Sequence, residues 1–373
     1  MIIKINETQY KNLNEAVGVP THIVDVARQV FNKIMSGLKP TTKLSSYLNK
    51  KIKLKGDFQI NDYKFNTINL RFDYDDINDY NIPVGMEPPK VLLRGMTHHG
   101  TVETDATFNF KPNRNFNNVD LSISLSVGPD TTTQDLVDEF NKEKVVMVSS
   151  LAHELKHGYD ESVKQKIYTH QRVDYKIGSQ RRFGNIPPLN NLLSYMYFAH
   201  TTENLVRATE LYAALEESGI SREDFYKFLT NHKVYENYRK GANLTYENLR
   251  EELKSIIPKI KETFDDNNMD YPENATDDEM VDFTLKKFYE VLLNWKEGGM
   301  HELLVDDFRE HIFGFQGAKQ EYFENYLKKI RRFGDNYENF IKYEIRQINN
   351  ICYKMMKKLS KLYSLIQTKN PQQ

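Results

Sequence analysis

A single cysteine, Cys352, stands in this chain of 373 residues. One thiol closes no intramolecular disulfide, so a disulfide framework and a cysteine zinc site are both excluded. Long apolar runs are missing as well, and none approaches the roughly 18 residues of a membrane span. The first residues, Met1-Ile2-Ile3-Lys4-Ile5-Asn6-Glu7, lack the apolar core of a signal peptide. Net charge is nearly absent, formally -1, which removes the global field that draws a protein to nucleic acid or to a membrane surface. No phosphate-binding glycine loop and no G-x-S-x-G nucleophile turn is present. These absences point to a protein of the cytoplasm, or one packaged in a virion, with no membrane partner. A hydrophobic content of 39% and a charged content of 28% suit globular packing in two or three domains.

The apolar pattern changes period along the chain. After Pro20-Thr21-His22, the residues Ile23, Ala27, Val30, Phe31, Ile34 and Leu38 follow helical spacing until Lys39-Pro40. From about residue 50 to 128 the period is two. Ile68, Leu70, Phe72 and Tyr74 alternate with polar residues. Val119, Leu121, Ile123, Leu125 and Val127 alternate strictly with Asp120, Ser122, Ser124 and Ser126, as in strands with one wetter face. Gly128-Pro129-Asp130 is read as the stop. Beyond it the pattern is helical. One helix runs from Glu143 to about Asp160. One long or two short helices cover Leu189 to about Glu217, with a break at His200-Thr201-Thr202 and a stop at Ser218-Gly219. A long terminal helix covers Asn336 to Ile366. Ser221 with Asp224, and Thr276 with Glu279, have the spacing of capping boxes. The softest boundary falls near 219, dividing a mixed portion, 1–218, from a mainly helical one, 219–373.

Charge is polarised within the helical portion. Residues 262–310 hold 15 acidic and 4 basic side chains, and residues 326–373 hold 11 basic and 3 acidic. Solvated, mutually paired helix faces explain this pattern most simply. A docking surface for a charged protein partner is the sharper reading, and no nucleic-acid motif accompanies it.

One motif carries chemistry: His153-Glu154-Leu155-Lys156-His157. On a helix, residues four apart share a face, so both imidazoles can reach one metal ion. Glu154 then sits where it can take a proton from water. Val145, Val146, Met147, Leu151, Ala152 and Leu155 give this helix a buried side, which holds the rings rigid. A catalytic zinc needs a third protein ligand. Glu203 is the leading candidate, and Glu210, two turns further along the same stripe, competes with it. Arg207 can pair with either. Asp160 can support a histidine or serve as a ligand itself. Tyr195, Tyr197, His200 and Tyr212 are available as oxyanion donors.

His153, Glu154, His157 and the downstream glutamate-bearing helix resemble the zincin metallopeptidases, specifically the glutamate-ligand gluzincins. The likeness covers residues 119–217 approximately. Glu203, Val206 and Arg207 are similar to the E-x-x-A helix of minimal H-E-x-x-H proteins of bacteria and tailed phages, with valine in place of alanine. The metzincin extension is absent, since Gly158, Tyr159 and Asp160 follow His157. The resemblance implies an α+β fold, with a zincin-like sheet packed on the H-E-x-x-H helix of domain 1–218. It implies Zn2+ held by His153, His157 and Glu203, a peptide or protein substrate, and hydrolysis by a metal-activated water with Glu154 as general base. It also implies an antiparallel edge strand that receives the substrate, a role residues 119–127 can fill unless they form an internal strand. The alternative from another class is a structural or assembly protein, phage virion-associated, that keeps the fold with little activity.

Weaker patterns have simpler readings. Asp266, Asn268 and Asp270 imitate a calcium loop, but Tyr271 stands where the glycine is needed. His98-His99 reads as a pair of loop histidines, and Trp295 as core.

Overall fold

A computed structural model describes residues 22–48, 50–60, 63–76, 91–93, 107–108, 118–127, 130–164, 185–199, 201–293 and 331–363. The fold mixes helices with one sheet. Two compact units form, each from separated stretches. The first comprises Met1–Ile167, Leu205–Lys233 and Leu359–Gln373, and the second comprises Tyr168–Asn204 and Val234–Lys358. The expected division at 218/219 is a single cut, whereas these units alternate along the chain. Among the described residues, no helix is long and apolar enough to cross a membrane.

The first unit holds the sheet: β1 (Lys51–Ile60), β2 (Tyr63–Asp76), β3 (Val91–Leu93), β4 (Thr107–Phe108) and β5 (Asn118–Val127). Strand order is β1-β2-β5-β3, with β4 also on β5. β1 runs antiparallel to β2, and β2 runs parallel to β5 with Leu70 opposite Leu121 and Phe72 opposite Ile123. The period-two pattern has its expected outcome: Leu54, Ile68, Leu70, Phe72, Leu121, Ile123 and Leu125 are all buried. Lys53, Lys55 and Arg71 occupy the opposite, exposed face.

The position of β5 decides between its two readings, edge strand or internal strand. β2 takes the whole length of β5, while β3 and β4 bond antiparallel to it at Leu125–Val127 and at Leu121–Ser122. A strand has two edges, so β5 is internal and offers no free ladder to a peptide across those positions.

Helix α1 (Ile23–Gly37) buries Ile23, Val24, Val26, Ala27, Val30, Phe31 and Ile34. It packs on β1 and on the motif helix. α2 (Thr133–Lys142) opens with a capping box between Thr132 and Asp135. α3 (Lys144–Lys164) carries the motif and packs against β2 and β4. The expected break in the next helical stretch is present, giving α4 (Pro187–Phe198) and α5 (Thr201–Ser218). α5 stops at Gly219, whose φ of 59° is left-handed and costs a glycine little.

Also in the first unit, α6 (Phe225–Asn231) begins later than its sequence signal. Ser221 and Asp224 exchange hydrogen bonds, but they close a turn and the helix starts at Phe225. In the second unit, α4 is joined by α7 (Lys233–Ala242, whose first residue belongs to the first unit), α8 (Tyr246–Lys254), α9 (Ile257–Asp266), α10 (Asp277–Leu293) and α11 (Tyr337–Ser360, whose last two residues belong to the first unit). Thr276 and Glu279 form the expected box before α10. The calcium-like spacing is a helix stop. Asn268 has φ 50°, its N–H meets the Asp265 carbonyl, and the Met269 N–H reaches Phe264, which is the hydrogen-bond pattern of a Schellman cap. α11 buries Phe340, Ile341, Ile345, Ile348, Cys352, Met355 and Leu359, fulfilling its periodicity. Gly128-Pro129, His98-His99 and Trp295 lie outside the described residues.

Candidate metal centre

α3 is held in the first unit from both ends of its buried face. Leu151, Ala152 and Leu155 are fully enclosed. Lys144 stands at the positive end of the helix dipole, where a cation is disfavoured. The Glu217 carboxylate offsets this, accepting from Lys144 at 2.5 Å and from Arg28 of α1 at 2.6 Å. Burial pushes the Glu217 carboxyl up, but hydrogen bonds from Lys144 and Arg28 outweigh it and hold the pKa below the ordinary carboxylate value. Three elements, α1, α3 and the end of α5, are thereby tied at one carboxylate.

Two turns of α5 nearer its start, a second buried carboxylate meets the motif. Glu210 and His153 are 3% and 6% exposed. Glu210 Oε2 lies 3.0 Å from His153 Nδ1 and accepts a further bond from Arg207 Nη1 at 2.8 Å. Desolvation alone would raise the Glu210 pKa. The Arg207 charge, the His153 hydrogen bond and charge, and His232 together overcome it and hold Glu210 down at about 2. An ionised carboxylate has only acceptor sites, so Nδ1 must be the protonated ring nitrogen. In the neutral imidazole the lone pair then belongs to Nε2. Nε2 lies on the Glu154 side, 3.8 Å from Glu154 Oε1. This is the tautomer a metal-binding histidine needs, with the second nitrogen anchored by a carboxylate. The described geometry thus supplies one ring nitrogen, His153 Nε2, in an orientation compatible with a metal ligand.

The structure brings together His153, Glu154, Glu210 and Arg207. Arg207 pairs with Glu210, three residues on in the same helix. The side chains of His157, Asp160 and Glu203 lie outside the described residues. Among the described residues, no three metal-ligating groups converge.

Of the oxyanion candidates, Tyr212 bonds through its hydroxyl to Glu216, four residues along α5. Tyr195 belongs to the second unit, where burial and the charges of Glu252, Cys352 and Glu236 raise its pKa. Tyr197 and His200 lie outside the described side chains.

His232 is a residue no sequence pattern singled out. It follows α6, and its ring is tilted against Phe228 with centroids 5.4 Å apart. Burial lowers its pKa, Glu210 pulls it back up, and Arg207 lowers it again. A single histidine at a short helix's end leaves no periodic or spacing signal. No protein-family model, no curated protein and no solved structure matches this chain.

Proposed function

We propose that this chain is a zinc-dependent peptidase of the zincin type, with an α+β catalytic region and helices completing the molecule. The observation that carries the reading is the Glu210–His153 contact, which holds the first motif histidine with its metal-binding nitrogen toward Glu154. A buried Nδ1–H needs an acceptor in any role, and a carboxylate there is the partner that metal-binding histidines take. His153 and His157 would hold the ion, with Glu203 as the expected third ligand. Glu210 acts on His153 from behind as its orienting carboxylate. Zinc, when bound, polarises the scissile carbonyl and lowers the pKa of the attacking water.

The remaining work belongs to the chain. The Glu154 side chain is 17% exposed, close enough to solvent to exchange protons and screened enough to be directed. It removes the proton from the attacking water and delivers it to the departing amine nitrogen. Glu210 and Arg207 keep the His153 ring fixed through both proton transfers. The substrate is a peptide or protein segment.

Glu154→Gln tests the assignment, because it preserves shape and removes the base. The variant should bind zinc as the parent does and lose at least about 100-fold in cleavage of an unstructured protein substrate. Equal cleavage by parent and variant would reject Glu154 as the base.

A further inference from the structure

The second unit carries two exposed, oppositely charged surfaces that the proposed peptidase chemistry leaves unused. The first is a stripe along α11. Arg346, Asn350, Tyr353, Lys354 and Lys357 are all exposed and follow helical spacing. Tyr353 is 56% exposed, an unusual position for a large aromatic, and Lys357 Nζ sits 4.5 Å from its ring centroid. From Ile345 to Gln373 the sequence contains no acidic residue. The second surface spans the end of α9, the following turn and the start of α10. Glu262, Asp265, Asp266, Asp270, Glu273 and Asp277 are exposed there, and from Glu262 to Leu285 there is no lysine or arginine.

Elsewhere in this unit several cations have partners. Lys240 pairs with Glu236, Lys254 with Asp278, Lys287 with Glu290 and Lys342 with Glu338. Among the described residues, no ion pair engages Arg346, Lys354 or Lys357, and none engages the six carboxylates. Arg346 bonds to the Lys342 carbonyl of its own helix. Each surface therefore repels itself, and neither is neutralised by the other within the chain.

We infer that the basic α11 stripe of one copy docks on the acidic α9–α10 surface of a second copy. Charge complementarity on the same chain identifies the occupant, and the near-zero net charge leaves no general repulsion between copies. A lipid surface would need an exposed apolar face, but that face of α11 is buried in the core. Tyr353 gives the contact an aromatic anchor amid the charges.

Sedimentation velocity of the full chain tests this. At about 0.1 M salt, where screening acts over about 10 Å, the mass should rise with concentration above the 43.9 kDa of one chain. Near 1 M salt, with a screening length of about 3 Å, it should return to one chain. Two charge-reversed proteins are then compared, Lys354→Glu with Lys357→Glu, and Asp266→Lys with Asp270→Lys. Each alone should associate about tenfold or more weakly. Their mixture should associate again, because each reversed surface meets its reversed complement. Far-UV circular dichroism checks folding, and Arg346→Glu with Glu273→Lys supplies a second pair. A parent that stays at one chain throughout, reversals without effect, or a mixture that fails to recover would each overturn the inference.

Discussion

Replacing Glu210 separates an orienting carboxylate from a residue that merely fills space. Its Oε2 takes both the His153 and the Arg207 bonds. Glu210→Gln keeps the shape, and an amide oxygen in that place still accepts both donors, but the negative charge is gone. Charge-assisted hydrogen bonds are roughly twice as strong as neutral ones. Two bonds weakened by about 1 kcal/mol each give a loss of about 2 kcal/mol. Glu210→Ala removes the acceptor altogether. Breaking a buried pair costs about 3–5 kcal/mol. Arg207 is 22% exposed on its side chain and regains some water, which places the loss near 3 kcal/mol, the lower end of about 3–5. Urea unfolding of the metal-free proteins measures both losses. Competition against a chromophoric chelator measures the second consequence. A metal-binding histidine that loses its carboxylate partner costs about 10–100-fold in metal affinity, and Glu210→Gln should fall in that range. Unchanged zinc affinity together with an unchanged urea midpoint would refute the orienting role. Complete loss of zinc would refute it in another way, making Glu210 a ligand in the place given to Glu203.

Two further outcomes follow from the packing. Because the folded pKa of Glu217 is depressed, its stabilisation is full above its ordinary value of 4.5 and is lost as pH falls through the folded value. The stability gap between the parent and Glu217→Gln should therefore be present at neutral pH and shrink as pH falls below 4.5; a gap of constant size would contradict the ion-pair account. At Gly241, an added Cβ would stand 2.7 Å from Cys352 Sγ and 3.4 Å from Ile348 Cγ2. Gly241→Ala should cost about 1–3 kcal/mol despite alanine's better helix propensity. Cys352→Ala in the same protein should recover part of that loss, and additive losses in urea unfolding would show that the two sites do not touch.

The extent to which the sequence disclosed this fold depended on how local the signal was. Strict alternation in β5 correctly assigned Leu121, Ile123 and Leu125 to the core, because pleating sends alternate side chains to opposite faces. Alternation says nothing about edges. The neighbours of β5 come from residues 63–108, and long-range pairing placed it inside the sheet. The break between α4 and α5 was legible, and so was the box at Thr276. The box at Ser221 pointed to a helix that starts only at Phe225, since the same side-chain bonds also close a turn. At the candidate site the motif was plain, but periodicity could not rank Glu203 against Glu210, seven residues apart on one stripe. The bonds that Glu210 makes to Arg207 and His153 are spatial and leave no mark in the periodicity.

Zinc content of the purified chain tests the central claim most directly. Elemental analysis should find close to one zinc per chain, and little in His153→Ala or His157→Ala. Zinc absent from the parent even after incubation with the metal, or held equally by both histidine variants, would contradict a metal centre on this helix.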